Sequence, residues 1–283
     1  MNKTLAGKTL IISGASRGIG LAIAKRAARD GANIAILAKT DRPDPRLPGT
    51  IHTAAEEIVA AGGQALPIVC DIRDDARTAE AVAQAAAHFG GIDICVNNAS
   101  AINLVGTEAL SMKRYDLMHG INARGTFLLS KLCIPHLKKA DNPHVLNISP
   151  PLDFSVKWFK AHAAYTLAKY GMSVYAWAMA EEFRGAGIAF NCLWPHTPIA
   201  TAAIQNMPGA QAMVAASRTP EIMADAAWHV LTRPSREFTG QFVLDDVILK
   251  EAGETDFEQY RFQPGSRLAP DFFVPDDAPP IVE

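Results

Sequence analysis

Tyr165 and Lys169 are the residues whose types and spacing most clearly indicate chemistry in this sequence. They stand four positions apart in the segment AAYTLAKYGM, so on a helix they share one face. A tyrosine hydroxyl is a weak acid, with an unperturbed pKa of about 10. A nearby ammonium group favours the phenolate and is expected to bring that pKa closer to neutrality. The pair therefore predicts a site of proton transfer in which Tyr165 is the acid or base.

A glycine-rich turn lies far upstream of this pair. Gly14, Gly18 and Gly20 fall between a predicted strand at 9–13 and a predicted helix at 21–30. Glycines at such a junction let the backbone turn tightly and approach a pyrophosphate at the helix N-terminus. A glycine turn alone can be purely structural. Together with a helical tyrosine–lysine pair, it predicts a nicotinamide-dependent oxidoreductase.

Short apolar runs alternate with alanine-rich helical stretches as far as residue 250. The predicted strands are 9–13, 34–38, 65–70, 94–97, 145–149, 189–194 and 241–244. The predicted helices are 21–30, 53–61, 76–89, 113–137, 161–184 and 220–232. This alternation predicts an α/β fold: a single doubly wound Rossmann-type domain with a mostly parallel seven-stranded sheet and helices on both faces.

Two segments depart from the alternation. Residues 40–49 (TDRPDPRLPG) are rich in proline, so no helix is expected to run through them. Residues 253–283 are also proline-rich and contain scattered aromatic residues. We expect residues 1–252 to form the domain and 253–283 to pack on it as a C-terminal extension. A surface strap and a contact with substrate or a second subunit remain alternatives for that extension.

Composition excludes several classes of function. The net charge of −2 gives no basic footprint for nucleic acid, and no apolar run approaches the roughly 20 residues that span a bilayer. The N-terminus shows no signal-peptide pattern, and the four scattered cysteines suit buried thiols, so we expect a cytoplasmic protein. Neither cysteines nor histidines have metal-ligand spacing, and we expect no metal.

The charges around the second predicted strand indicate which dinucleotide binds. NAD sites place a carboxylate at the end of that strand, where it accepts from the ribose 2′-hydroxyl. Here the strand ends in Ala38-Lys39, with no acid before Asp41, and Arg17 adds a cation inside the glycine turn. Two cations without a carboxylate favour a 2′-phosphate. We therefore predict NADP (NADPH) in preference to NAD, the alternative for Lys39 being an ordinary solvated lysine.

Taken together, these residues resemble the short-chain dehydrogenase/reductase superfamily from Leu5 to about Leu249. The marks of the resemblance are the glycine turn, Asp71, Asn97-Asn98-Ala99, Asn122, Tyr165 and Lys169. The stretches AKTDRPDPRLPGTIHTAAEEI, LNISPPL, AYTLAKYGMS and WPHTPIATAA resemble the hydroxysteroid dehydrogenase-like group more closely. Members of that group can carry a C-terminal sterol-carrier domain and are associated with lipid metabolism. We expect this chain to lack such a domain.

The resemblance implies roles for individual residues. Tyr165 would be the general acid/base, Lys169 would bind the nicotinamide ribose and lower the tyrosine pKa, and Asn122 would hold a water in a proton relay. The implied cofactor contacts are Gly14, Ser16, Arg17, Gly18, Ile19, Gly20, Lys39, Asp71, Ile72, Asn97, Ala99, Lys169, Pro195, Ile199 and Thr201.

Three positions depart from the family pattern. The carbonyl-polarising serine is expected after the fifth strand, where Pro150 fills the usual position and Ser149 precedes it. A shift of one residue in a strand reverses the face, so Ser149 is the candidate only if the prolines turn it back, and Ser155 is the alternative. Ser100 replaces a glycine after Ala99, and His196 follows Pro195 where glycine is usual.

The resemblance implies hydride transfer between the cofactor and a carbonyl carbon. The segment 197–219 is small and apolar, and Trp158 and Phe159 are expected near the same mouth, so we predict a small apolar alcohol, ketone or aldehyde as substrate. Alternatives are lyase or epimerase chemistry on the same fold, and a catalytically decayed nucleotide-sensing protein. The helices at 113–137 and 161–184 are apolar around most of their circumference, which predicts a homodimer or homotetramer.

Overall fold

Seven parallel strands form the sheet that organises this chain. The computed structural model describes residues 3–44, 48–205 and 209–283. In these ranges the strand order is β3-β2-β1-β4-β5-β6-β7, and every pairing is parallel. The strands are β1 Thr9–Ser13, β2 Asn33–Ala38, β3 Gln64–Val69, β4 Ile94–Asn97, β5 His144–Ile148, β6 Ala189–Trp194 and β7 Phe242–Leu244. The predicted doubly wound fold is confirmed.

Helices cover both faces of this sheet. The α-helices are α1 Gly18–Ala28, α2 Ile51–Ala60, α3 Asp75–Phe89, α4 Met112–His119, α5 Gly125–Leu137, α6 Ala163–Glu182, α7 Ala202–Gln205, α8 Ala210–Ala215, α9 Pro220–Leu231 and α10 Asp245–Glu251. Helices α1, α2, α9 and α10 bury their apolar sides against one face of the sheet. Helices α3, α5 and α6 do so against the other. The short elements α7, α8 and α10 had no counterpart among the sequence predictions.

The span predicted as one helix at 113–137 is interrupted. A π-helical turn, Gly120–Arg124, separates α4 from α5. Such a turn carries an extra residue that the helical apolar pattern does not reveal, and π-turns are frequent at functional sites. Asn122 lies in this turn and is fully buried.

The link from β2 to α2 contains the proline-rich segment 40–49. Residues 45–47 of that segment lie outside the described part of the chain. Helix α2 begins immediately afterwards, where Thr50 and Thr53 form reciprocal side-chain to backbone hydrogen bonds. This capping box satisfies two N–H groups of the first turn and fixes where the helix starts.

The end of the chain is tied to the domain by a buried ionic network. Asp246 accepts a hydrogen bond from Arg218 Nη1 at 3.0 Å and from the backbone N–H of Val282 at 3.0 Å. Arg218 Nη2 donates to the carbonyl of Val282, and His196 Nδ1 lies 2.7 Å from Asp246 Oδ1. Arg218 and Asp246 are both fully buried. The network therefore joins the C-terminal residues to the loop after β6 and to the start of α10.

The four cysteines are free and buried. Among the described residues, no helix is long and apolar enough to cross a bilayer, and no group of three or more His, Cys, Asp or Glu side chains could hold a metal ion.

Candidate functional site

A cleft of about 660 Å³ opens at the carboxyl edge of the sheet, where the order of the strands reverses between β1 and β4. Ligands of doubly wound sheets bind in this position. Ten of the fifteen predicted cofactor contacts line it: Gly14, Ser16, Arg17, Gly18, Ile19, Lys39, Asp71, Ile72, Ala99 and Thr201. Gly20, Asn97, Lys169, Pro195 and Ile199 do not line it. The structure therefore brings most of the predicted set together.

The glycine turn is shaped by its contact with the end of β4. Gly14 and Gly18 have positive φ angles of 70° and 57°, a region that L side chains rarely adopt. A Cβ on Gly14 would lie 2.9 Å from the Cα of Ala99, and one on Gly20 would lie 2.5 Å from Nδ2 of Asn98. Gly20 is thus required for packing between the helix and β4, and it does not itself face the cleft.

The start of α1 offers free donors to an anion. Gly18 and Ile19 open this helix and line the cleft, and neither a side-chain cap nor an acidic residue neutralises the first turn. The first N–H groups of a helix have no intrahelical partner and attract negative charge. The residues present therefore fit a dinucleotide pyrophosphate.

Two cations stand farther along the same cleft. The Arg17 guanidinium donates to the carbonyls of Pro48 and Gly49 at 2.8 and 2.7 Å. Burial lowers the pKa of Arg17, and the negative charge of Asp44 offsets part of this lowering. Lys39 Nζ is 57% exposed and lies 3.8 Å from Oδ2 of Asp71.

Asp71 is the acidic neighbour of Lys39. It is bound mainly by Arg73, whose Nη2 donates to it at 2.6 Å, and this contact holds the Asp71 pKa below its usual value. Positive charge therefore prevails at this end of the cleft.

Tyr165 and Lys169 lie on the inward face of α6, with 5% and 3% of their surface exposed. The Tyr165 hydroxyl makes no hydrogen bond to the described residues. Lys169 Nζ donates to the carbonyl of Ile148 at 2.9 Å and lies 5.1 Å from the ring centre of Trp194. The pair thus lies at the end of β5. The Tyr165 hydroxyl and the N–H groups of Lys169 that are not bound to Ile148 remain available to a ligand.

The pKa of Tyr165 is shifted in the opposite direction from our expectation. Burial raises the Tyr165 pKa because it removes water from the phenolate, and the negative charge of Asp271 raises it further. Burial also lowers the pKa of Lys169 to about 8, while Asp271 and Cys192 oppose that change. Desolvation and Asp271 therefore determine the direction of the Tyr165 shift, and the expected lowering of the tyrosine pKa is wrong for this structure.

Asn122 uses its side chain structurally. Its Oδ1 accepts from the N–H of Ala101 at 2.8 Å, and its Nδ2 donates to the carbonyl of Ala101 at 3.0 Å. Both amide groups are satisfied by one residue of the loop after β4. One N–H of Nδ2 remains unused, and the backbone carbonyl of Asn122, which accepts from the N–H of Gly125, keeps a second lone pair for a water.

Ser149 is completely buried, and its hydroxyl has no hydrogen-bond partner of good geometry in the described chain. Its neighbours include the thiol of Cys192. Burial raises the pKa of this thiol to about 12, although Ser149, Ser173 and Lys169 each act to lower it. No described hydrogen bond joins Ser149 to Tyr165. Ser155, the alternative serine, precedes the 3₁₀ turn Val156–Trp158 and likewise makes no described contact with Tyr165.

The C-terminal extension contributes residues that sequence reasoning missed. Phe273 is fully buried, has a φ of 66° and has its ring centre 5.9 Å from that of Tyr165. Asp271 donates its N–H to the carbonyl of His196 at 3.0 Å, and burial raises the pKa of its carboxyl group to about 7; when ionised, this group places a negative charge beside Tyr165 and Lys169. An Asp-Phe-Phe sequence among prolines carries no periodic signal, so only tertiary packing reveals this role.

A second cavity, of about 700 Å³, lies between this extension and the segment after β6. Its lining is mostly apolar and includes Trp158, Pro198, Met213, Phe272, Val274 and Ile281. Part of the small, apolar segment 197–219 contributes to this wall, while its residues 206–208 lie outside the described ranges. The cavity meets the surroundings of Tyr165 at Asp271 and Phe272.

Asp271→Asn tests the electrostatics of this site. The carboxylate of Asp271 raises the pKa of Lys169, so its removal is expected to shift the Lys169 titration to a pH below the wild-type value of about 8. NMR of ¹³C-labelled lysine side chains measures the midpoint, with the resonance assigned by its loss in Lys169→Arg. Asp276→Asn is the control, because that carboxylate belongs to the same extension and pairs with Lys157. An unchanged midpoint in Asp271→Asn would contradict the assignment.

Comparison with known proteins agrees with this architecture. A family model described as short chain dehydrogenase matches residues 8–211. Hydroxysteroid dehydrogenase-like protein 2 of Danio rerio is 59% identical over 270 residues, which are 95% of this chain and 64% of that protein. Its Homo sapiens counterpart is 55% identical over 278 residues, which are 98% of this chain and 66% of that protein.

A solved structure gives the same result in three dimensions. The crystal structure of a short-chain dehydrogenase from Mycobacterium thermoresistibile superposes with a TM-score of 0.93 and 56% identity, covering 99% of both chains. The described fold and the extent of the matched family model lead to one conclusion: the chain belongs to the short-chain dehydrogenase family, within its hydroxysteroid dehydrogenase-like group.

Proposed function

We propose that this chain is an NADP-dependent oxidoreductase that interconverts a small apolar alcohol and its ketone or aldehyde. The observation that carries the proposal is the unpartnered hydroxyl of Tyr165, a residue that is 5% exposed, on the same face of α6 as Lys169, whose ammonium group is bound at the carboxyl end of β5. A hydroxyl that has no protein partner in a largely enclosed position is available to hydrogen-bond a ligand.

The nicotinamide cofactor, when bound, supplies the hydride for reduction or accepts it for oxidation. The protein handles the proton. Tyr165 donates its hydroxyl proton to the substrate oxygen in reduction and receives one in oxidation. Lys169 holds one N–H on the Ile148 carbonyl, which leaves other N–H groups for ribose hydroxyls and for a water. We assign that water to the backbone carbonyl of Asn122, which accepts from Gly125 and keeps a second lone pair, because the Asn122 side chain is bound to Ala101.

The charges in the cleft support NADP over NAD. Arg17 and Lys39 both line the cleft, and β2 ends without the carboxylate that would accept from a 2′-hydroxyl. The nearby acid Asp71 is bound by Arg73. Lys39, which is largely exposed, is the group best able to turn toward a 2′-phosphate.

The cavity beside the C-terminal extension supports an apolar substrate. Its lining consists mainly of proline, alanine and larger apolar side chains, and its polar residues are Lys157, His196, Asp271 and Asp276, of which Asp271 bears on Tyr165. Such a surface binds uncharged hydrocarbon by excluding water and disfavours an anion at its inner end.

A homodimer or homotetramer is supported by an exposed apolar face. Phe127 on α5 and Leu167, Val174 and Trp177 on α6 have 40%, 52%, 40% and 58% of their surface exposed. Contiguous apolar side chains of this size on neighbouring helices are typical of a protein interface. The free, buried cysteines further support a reducing compartment, for which we propose the cytoplasm.

Tyr165→Phe tests the proposed reaction. Loss of the hydroxyl removes the proton donor, and we expect NADPH-dependent reduction of decanal or cyclohexanone to fall by roughly 10²-fold or more. Oxidation of NADPH is followed by its absorbance. Tyr175→Phe, a change of the same kind on the outer part of α6, is expected to retain activity. Equal turnover by wild type and Tyr165→Phe would refute the proposal and favour a nucleotide-sensing protein.

Lys39→Ala tests the cofactor assignment. Removing a cation that contacts a phosphate is expected to weaken NADPH binding roughly tenfold and to leave NADH binding nearly unchanged. Fluorescence titration with each dinucleotide gives the two dissociation constants. The control is Lys25→Ala, since Lys25 pairs with Glu57 and does not line the cleft. Parallel losses for both dinucleotides would argue against a 2′-phosphate contact.

Trp177→Asp tests the oligomer. A charge introduced into the proposed interface is expected to reduce the mass measured by light scattering from that of an oligomer to that of one chain. Val59→Asp introduces the same charge at a residue of equal exposure, 58%, on α2 and is expected to leave the mass unchanged. A wild-type protein that is already monomeric at micromolar concentration would overturn the proposal.

A further inference from the structure

His162 is a buried histidine whose side chain has no described partner. Only 6% of its surface is exposed, and neither Nδ1 nor Nε2 has a hydrogen-bond partner in the described chain. The residue precedes α6, and its carbonyl accepts from the N–H and the hydroxyl of Thr166 at 3.1 and 3.3 Å. Its ring does not cap the helix. The backbone carbonyl of His162 therefore supports the start of α6, whereas its imidazole makes no hydrogen bond that would explain a buried polar ring at this position.

The surroundings of this imidazole are aromatic. Its ring is nearly parallel to that of Tyr165, with centres 6.2 Å apart and planes inclined by 17°. Phe272 and Phe273 cover it at centroid distances of 5.5 and 6.3 Å. Among these three rings the Tyr165 hydroxyl is the only hydrogen-bonding group, and it too has no described partner. An imidazole whose two nitrogens are buried without a partner therefore lies beside a tyrosine whose hydroxyl also has no described partner.

The separation of the two rings suits one shared acceptor. Hydrogen bonds to an oxygen are about 2.8 Å long, so two donors on the same oxygen lie within about 5.6 Å of each other. Nearly parallel rings with centres 6.2 Å apart place their edges in that range when both turn the same side toward the ligand.

The site also needs a second donor. Pro150 occupies the position at which the family pattern places a hydroxyl, and the completely buried Ser149 hydroxyl lies beside the thiol of Cys192. A carbonyl that receives hydride develops negative charge on its oxygen, and preorganised donors stabilise that charge.

We propose that His162 is a catalytic residue that donates a hydrogen bond to the substrate oxygen alongside Tyr165. This inference rests on the proposed oxidoreductase function and deepens it. In reduction the hydride forms a new C–H bond at the carbonyl carbon. The electron pair of the C=O π bond moves to the oxygen and forms an O–H bond with the proton from Tyr165. His162 keeps its own N–H throughout. The reverse steps apply in oxidation.

The charge state of His162 fits this role. Burial lowers its pKa, so the ring is neutral near pH 7 and carries one N–H and one lone pair. A neutral imidazole can polarise a carbonyl without competing with the acid for proton transfer. The charged groups beside the Tyr165 site are Lys169 and Asp271, which bear on the Tyr165 hydroxyl.

His162→Phe separates this role from simple packing. Phenylalanine preserves an aromatic ring among Tyr165, Phe272 and Phe273 but removes the donor. We expect kcat for decanal and cyclohexanone with NADPH to fall by roughly 10²-fold, with a smaller change in KM, because one donor to a developing oxyanion contributes about that factor. His162→Gln, which restores an N–H, is expected to recover part of the loss. His136→Phe on α5 makes the same change outside the site and is expected to leave activity intact.

Folding of the variants and contact of the ligand with His162 are measured separately from activity. Near-ultraviolet circular dichroism and Tm establish that the His162 variants fold, and His162→Leu serves if the phenylalanine variant does not. In the wild type, the ¹⁵N shifts of the His162 ring are expected to change when cyclohexanone is added in the presence of NADP.

The inference is wrong if His162→Phe keeps wild-type kcat while Tyr165→Phe loses it, since the proposed function would then stand without His162. A larger loss in Ser149→Ala than in His162→Phe would assign the donor to Ser149 instead. No NADPH-dependent turnover by the wild type would remove the proposed function, and the inference with it.

Discussion

The contact between the end of β4 and the glycine turn after β1 is the constraint on which the site depends. Asn98 Nδ2 donates to the carbonyls of Ser13 and Gly14, each at 3.0 Å, and Ser13 Oγ accepts from the N–H groups of Asn98 and Ala99, each at 3.1 Å. This exchange closes the point where the order of the strands reverses. It also explains why no side chain can replace the hydrogens of Gly14 and Gly20, whose Cβ atoms would collide with Ala99 and Asn98. The cleft exists because these two strand ends are bound this closely.

Asn97, one residue earlier, extends the same constraint to the catalytic helix. Its Nδ2 donates to Ser130 Oγ at 2.9 Å and to Asn147 Oδ1 at 2.8 Å, and Asn147 Nδ2 donates to the carbonyl of Met172 at 2.9 Å. β4, β5, α5 and α6 are thereby connected through buried amides. Because Met172 lies one turn beyond Lys169, this chain of hydrogen bonds fixes the rotation of α6 and so the direction of Tyr165. Asn97 is thus a residue that positions the site without lining the cleft.

Much of this arrangement follows from patterns that are local in the sequence. Continuous apolar runs indicated every strand to within one residue at either end, since a strand buried on both faces must be apolar throughout. The glycine turn and the tyrosine–lysine spacing identified the two halves of the site for the same reason: each is encoded within a few consecutive residues.

The features that sequence reasoning missed depend on contacts between distant residues. Phe273 meets Tyr165 across more than a hundred positions of the chain, and the position of the extension follows from a buried pair, Arg218 with Asp246, whose members also lie in separate elements. The direction of the Tyr165 pKa shift was wrong for a related reason. An ammonium one turn away can be read from spacing, whereas burial under Phe273 and the charge of Asp271 become visible only when the chain is folded.

The buried ionic network then has a consequence for the chemistry. Arg218, Asp246 and His196 are removed from water, and breaking such a pair by losing one partner costs about 3–5 kcal/mol. Because that loss is large, the network holds the end of the chain in place. It thereby keeps Phe273 at a positive φ angle, which is unfavourable for a residue with a Cβ. Phe273 and Phe272 in turn exclude water from Tyr165 and His162, and desolvation strengthens every hydrogen bond made there. The polarity of the candidate site is therefore set largely by a segment beyond the last strand of the sheet, which contributes one carboxylate and two aromatic rings to it.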